Sequence, residues 1–457
     1  MKFERHMSDN EALMWNLEKD PALSSWFASI TILDTVPSVD RLRSRLAVAV
    51  ADIDRLRQRV VPSVGRLSPP MWAEDPEFDL DYHIRRMAVP APGGPDELHE
   101  LAAKLLLDPF ERTRPLWQFV VIEGLEGGKA ALFQKMHHTI TDGEGGIRLA
   151  EKFTDLERDA VHEEPVIEVD QRPVGEDFGE SAREALGHNV RRVGGVAQRV
   201  VKSVVANPLG TANGVGAVVG EISKTLVPSK DPSEAVGSPL WTTRSLKRWY
   251  GTIQIPFDDA KKAAKGLGGT INDFFVAGAL AGSVAYHEER NAAPNKLRVA
   301  MPVSTRKDGS AGGNQFSVTT NELAAPTGAE AAFEVVRDGL ATAKSGGSVD
   351  ILGSLSMVIN LLPTSVVTKV AKDAASMVDF TVSNVRGAPF EVYIAGAKVE
   401  GLFPMGPIAA TAFNLSMMSY AGMLDMGLVV DAGAIDEPAE LRDRIESAYH
   451  ELIDLGT

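Results

Sequence analysis

At 457 residues the chain is too long for one ordinary hydrophobic core, so two domains or one large fused unit are expected. A hydrophobic fraction of 44% with 24% charged residues is that of a soluble globular protein, and a net charge of −15 argues against nucleic acid as the main partner. The absence of cysteine excludes disulfides, thiolate metal sites and a cysteine nucleophile.

The N-terminus, MKFERHMSDNEALMW, lacks an apolar core before a small-residue cleavage site, so no signal peptide is expected. Residues 40–61 carry Leu42, Leu46, Val50, Ile53 and Leu56 at helical spacing and end at Pro62. Residues 96–110 repeat the pattern and stop at Asp108-Pro109. Strand-forming residues 117–122 turn through Gly124–Gly128 and return as 129–136, which predicts a β-hairpin, with a helix from Gly145 to Leu156 after it. Residues 158–180 are acidic, proline-containing and aperiodic, and read as a surface linker. The following stretch, 181–206, sets Arg191, Arg192, Arg199 and Lys202 among valines, a helix suited either to solvent or to an anionic membrane surface.

Patterning resumes with a strand at 249–255, a helix at 257–266 and a helix from Thr270 to Ala285. A strand at 297–306, a glycine-rich loop, and short strands at 380–385, 398–403, 412–420 and 423–431 lead to a terminal helix over 437–455. The uncharged run 351–368, interrupted by Asn360 and Pro363, reads as a buried or interfacial helix, and no membrane-spanning anchor is expected.

Residues 135–146, KMHHTITDGEGG, concentrate the chemistry: two of nine histidines side by side where a strand runs out, then Asp142 and Gly143. Imidazole is the side chain that accepts and returns a proton near neutrality. On extended backbone His137 and His138 point opposite ways, so one can face a cavity while the other packs. Adjacent histidines rarely reach one ion and no His-Glu-x-x-His occurs, which counts against a metal site. No Gly-x-Ser-x-Gly elbow is present. Asp142 either orients a histidine or braces the loop through an arginine elsewhere, and Gly143 permits backbone conformations closed to other residues. A plain strand-to-helix corner is the structural alternative.

His137-His138-x-x-x-Asp142-Gly143 resembles the HHxxxDG motif of the CoA-dependent acyltransferase superfamily, which includes chloramphenicol acetyltransferase and peptide condensation domains. From about Ala12 to near the C-terminus the chain resembles the bacterial wax ester synthase/diacylglycerol acyltransferases. The resemblance runs through PLW at 115–117, GGTINDFFVAG around Asn272-Asp273, MPVSTR followed by GNQF, VSNVRGAP at 382–389, and GP leading to SYAGMLDMGLVVD. It implies an α/β fold of two chloramphenicol-acetyltransferase-like domains with an interdomain tunnel. The expected boundaries are 1–157 for the first domain with the histidine motif, 158–240 for the linker or crossover, and 241–457 for the second.

By the same resemblance, His138 is the general base for direct acyl transfer, and His137 and Gly143 complete the motif. Asp142 is structural, with Arg306 as its candidate partner. Asn272 and Asp273 shape the channel or cap a helix; Ser383 and Asn384 lie near the thioester or in a strand-end turn; Trp117 lines the channel or packs the core. Acyl-CoA is the expected co-substrate with no permanently bound cofactor and no metal. A fatty alcohol or diacylglycerol is the acceptor, and the site of action is cytoplasmic, peripheral on the inner membrane or on lipid inclusions. Thr139, Thr141 and Glu144 make the motif more polar than expected, which bears on the acceptor. Carrier-protein-dependent condensation and a non-catalytic lipid-droplet relative are the alternatives; LDMGLVVD in place of Asp-Phe-Gly-Trp-Gly favours the storage-lipid branch.

Overall fold

The structure, a computed structural model, describes residues 5–62, 69–141, 143–161, 236–304, 316–345 and 364–457. The basic stretch 181–206, most of the linker, Asp142, Arg306 and most of the run 351–368 lie outside them.

Ser8 and Glu11 form a capping box that starts α1 (Asp9–Leu17). After β1 (Trp26–Leu33), α2 (Val39–Asp52) buries Leu42, Leu46 and Val50, as their spacing predicts. It ends well before Pro62. The Arg57 guanidinium folds back on the Val50 carbonyl and the Asp54 carboxylate, satisfying the helix terminus. The residues read as its last turn instead form β2 (Gln58–Val61), paired antiparallel with β3 (Met71–Glu74), where Val60 and Val61 suit a pleated backbone.

β4 (Ile84–Ala88) leads to α3 (Pro95–Leu107), opened by the Glu97 carboxylate accepting from Gly94 N–H and closed at Asp108-Pro109. The expected hairpin follows as β5 (Trp117–Glu123) and β6 (Ala130–His137), with α4 (Gly143–Phe153) after it.

The C-terminal half runs β7 (Arg248–Pro256), α5 (Phe257–Gly266), α6 (Ile271–Glu288), β8 (Lys296–Ser304), β9 (Phe316–Ala324) and α7 (Ala329–Ser345). It continues with α8 (Thr364–Ser376), β10 (Phe380–Arg386), β11 (Tyr393–Ile394), β12 (Ala397–Met405), β13 (Phe413–Tyr420), β14 (Met423–Asp431) and α9 (Pro438–Gly456). The strand order in the second six-stranded sheet is β7-β14-β13-β10-β8-β9. Helix α6 is apolar nearly all round and lies buried in this lobe's core. Gly278 and Gly282 let α9 approach it: a Cβ at those positions would fall 2.2 Å from the Tyr449 ring and 2.4 Å from the Ile445 backbone.

The first sheet has the order β11-β12-β1-β6-β5-β4, so two of its six strands come from far beyond residue 241. A cut of the chain at 240/241 would strip Tyr393–Met405 from the sheet whose ladder they extend along β1. Local patterning reports that these residues are strands but not whose neighbours they are.

β12 is stitched to the second sheet by two buried side chains. The Tyr420 hydroxyl donates to the Val399 carbonyl and accepts from Val392 N–H. The Asp425 carboxylate accepts from Leu402 N–H and from the Gln254 amide. An apolar cluster of Trp26, Ile30, Leu98, Phe133, Tyr250, Met405 and Val429 seals the junction of the lobes. No described helix is long and apolar enough to cross a membrane.

Candidate active site

The β5–β6 hairpin delivers the histidine pair. His137 N–H donates to the Leu116 carbonyl (3.0 Å), and Ile140 N–H returns to the His137 carbonyl (2.9 Å), closing a turn. His138 is the second residue of that turn, and its own N–H is held by the Ser25 carbonyl at 2.9 Å.

His137 is fully buried. Its Nδ1 lies 3.1 Å from Thr139 N–H and 2.8 Å from the Thr139 hydroxyl, and its Nε2 lies 2.9 Å from the Glu18 carboxylate. A backbone N–H can only donate, so Nδ1 is the acceptor and the proton sits on Nε2, donated to Glu18. Trp15 meets the ring edge-on at 6.3 Å between centroids. Both nitrogens of His137 are thereby used in holding the turn. Thr139, which departs from the apolar pattern expected after the pair, owes its polarity to this contact.

His138 is half-buried. Its ring tilts against Phe27 at 4.6 Å with 39° between planes, and its Nδ1 is buried. Gly143 opens α4, which buries Leu149 and Phe153; the Phe153 ring stands edge-on to Phe119 at 5.2 Å.

The other sequence-derived candidates fall in two places. Asp273 completes a capping box at the start of α6, its carboxylate accepting from the N–H and hydroxyl of Thr270 at 2.8 Å each. Beside it, the Asn272 carbonyl accepts from the Asn384 amide at 3.5 Å, joining α6 to β10. Ser383, half-buried, pairs across the strands with Ser416. Trp117 lies in the core of the first lobe, its indole N–H donating to the Leu56 carbonyl (2.8 Å) and its ring stacked on His83 at 4.2 Å. Burial drives the His83 pKa down to about 4, so that ring is neutral and acts as packing.

A small cleft of about 320 Å³, open mouth included, lies between the lobes beside Ser24, lined by Trp26, Leu106, Arg248, Pro407, Ile408 and Val429. Among the described residues no group of three or more His, Asp or Glu side chains is placed to hold a metal ion. Sequence reasoning missed Glu18, Ser25 and Phe27. Glu18 lies 119 positions from His137, and no local pattern connects them.

The profile of the wax ester synthase/diacylglycerol acyltransferase catalytic domain matches residues 7–275, and that of the WS/DGAT C-terminal domain matches 312–453. The chain belongs to the wax ester synthase/diacylglycerol acyltransferase family. It is 31% identical, over 97% of its length and 91% of the relative's, to a protein of Mycobacterium tuberculosis (strain H37Rv) bearing the name of a diacylglycerol O-acyltransferase. A second protein of that strain, named for the same activity, is 27% identical over 91% of this chain and 88% of its own. In fold the chain is similar to the wax ester synthase/diacylglycerol acyltransferase from Marinobacter aquaeolei VT8, with a TM-score of 0.66, 21% identity, and coverage of 99% and 100% of the two chains. The first condensation domain of the calcium-dependent antibiotic synthetase follows with a TM-score of 0.59 and 16% identity, covering 99% and 96%. Family membership makes the protein an acyl-CoA-dependent acyltransferase of wax ester or triacylglycerol synthesis, in an α/β fold of two lobes.

Proposed function

We propose that the protein transfers a long-chain acyl group from acyl-CoA directly to the hydroxyl of a fatty alcohol or diacylglycerol, with His138 as general base. The observation that carries this is the contrast within the pair. His137 has both nitrogens engaged, whereas His138 sits half-buried at the apex of a turn fastened to the Ser25 carbonyl. In this reading Nδ1 is the buried nitrogen and Nε2 is the one that exchanges the proton.

In this scheme Nε2 takes the acceptor's hydroxyl proton as that oxygen bonds to the thioester carbonyl carbon. The tetrahedral adduct collapses, the C–S bond breaks, and the imidazolium returns the proton to the CoA sulfur. Neither a covalent enzyme intermediate nor a metal is needed. Acyl-CoA and the acceptor meet in a passage between the lobes, with Asn272, Asn384 and Ser383 on the side of the second lobe. The protein acts in the cytoplasm at an anionic lipid surface, to which the basic residues of 181–206 are suited.

The test is CoA release from long-chain acyl-CoA with hexadecanol or diacylglycerol. His138→Ala should lower kcat by roughly 10²–10⁴-fold. Unchanged turnover in that variant refutes the base assignment, and turnover only with an acylated carrier protein refutes the acyl-CoA donor. Sedimentation with anionic vesicles, reversed by salt, tests the surface attachment.

A further inference from the structure

Glu18 has no place in the motif, yet its carboxylate is the partner of the histidine next to the base. It stands at the C-terminal cap of α1, with its side chain 8% exposed, and takes the His137 Nε2–H at 2.9 Å. The contact is built on both sides. The Arg112 guanidinium lies 3.5 Å over the Trp15 ring and donates to the Trp15 carbonyl, and Trp15 in turn abuts His137. Two residues after Glu18, the Asp20 carboxylate takes the ammonium of Lys372 from α8 at 3.1 Å. The segment holding His137 is thus fastened to a helix of the C-terminal half.

His138 is bonded to this arrangement through the chain itself. The carbonyl of His137 closes the turn on Ile140 N–H, and His138 lies between the two. If the His137 ring is released, one end of that turn loses its side-chain anchor, while Ser25 still holds the middle.

We propose that Glu18 is a positioning residue for acyl transfer: by fixing the tautomer and place of His137, it holds the turn that presents the His138 ring. This rests on the acyl-transfer reading for its kinetic consequence, but not for its geometric one. Misplacement of a base by a fraction of its working distance lowers the chemical step while leaving substrate binding intact.

Glu18→Ala and Glu18→Gln separate the roles. The amide of Glu18→Gln keeps an acceptor oxygen for His137 Nε2–H and loses the charge. Glu18→Ala should lower kcat by roughly 10- to 100-fold with both KM values unchanged within about twofold, and Glu18→Gln should recover most of the loss. An independent reading uses diethyl pyrocarbonate and mass spectrometry on the folded proteins. His138 should be modified several-fold faster in Glu18→Ala than in the parent or Glu18→Gln, because its ring is no longer held against Phe27. Equal modification rates in all three overturn the proposal, as does an unchanged kcat in Glu18→Ala or an equal loss in both variants. If the parent enzyme turns over no acceptor but the modification rates differ as expected, positioning stands and the acyl-transfer reading falls.

Discussion

Asp425 offers a test of how the two lobes are joined. It is fully buried on β14, with one carboxylate oxygen accepting from the Gln254 amide and the other from Leu402 N–H, at 2.7 Å each. Both donors favour the carboxylate, but burial outweighs them and raises its pKa from 3.8 to about 6. At about 1.4 kcal/mol per pH unit, this ionisation costs the folded state about 3 kcal/mol at pH 8. The sign follows from proton release. Between pH 3.8 and about 6 the folded chain keeps a proton that the unfolded chain has lost, so this group's favourable contribution is complete below 3.8 and vanishes as pH rises through 6. Asp425→Asn is neutral at every pH: its carbonyl can accept from Leu402 N–H, and its amide can donate to a rotated Gln254. It should be more stable than the parent by up to about 3 kcal/mol at pH 8, with roughly half that gap at pH 5. Urea unfolding followed by tryptophan fluorescence at the two pH values reads both numbers. A variant less stable than the parent at pH 8, or a gap independent of pH, would show that the junction uses the negative charge and refute the burial argument.

Lys135, buried on β6, donates to the Leu105 and Asp108 carbonyls at the end of α3, and burial lowers its pKa to about 7. Above pH 7 the unfolded chain holds a proton that the folded chain lacks, so the parent should gain about 1.4 kcal/mol per pH unit relative to Lys135→Met between pH 7 and 10, measured by urea midpoints. Parallel pH profiles would refute this. A Cβ at Gly427 would fall 1.8 Å from the Pro404 carbonyl oxygen, so Gly427→Ala must part the sheets and should cost about 3 kcal/mol in chemical denaturation. Asp273→Ala removes the capping box and should cost about 1 kcal/mol with KM unchanged; a raised KM at unchanged stability would instead give Asp273 a channel role.

The candidate site was legible where chemistry is local. The histidine pair at a strand end, the hairpin before it and the helix after it are written in one continuous stretch, Trp117–Phe153, because turn glycines and alternating apolar positions act over short range. What held those histidines was not. Glu18, Ser25 and Phe27 reach them from more than a hundred positions away, and β1, to which Phe27 belongs, carries no turn or cap signal that singles it out. The helical spacing of α2 was extended too far for a related reason: Ile53 and Leu56 continue the period, while the Arg57 cap that ends the helix is a side-chain contact outside the period.

By itself the amino-acid sequence determined most of the elements, which depend on residue types and spacings within a single stretch of chain, and, through a resemblance carried by short motifs from PLW at 115–117 to SYAGMLDMGLVVD, the class of chemistry and the family. Tertiary structure alone showed that both ring nitrogens of His137 are engaged, by Thr139 and Glu18, and that Tyr393–Met405 completes the first sheet. Both depend on contacts whose partners are far apart in the chain. Such contacts form only when burial of apolar surface brings distant segments together and leaves a polar group no other partner.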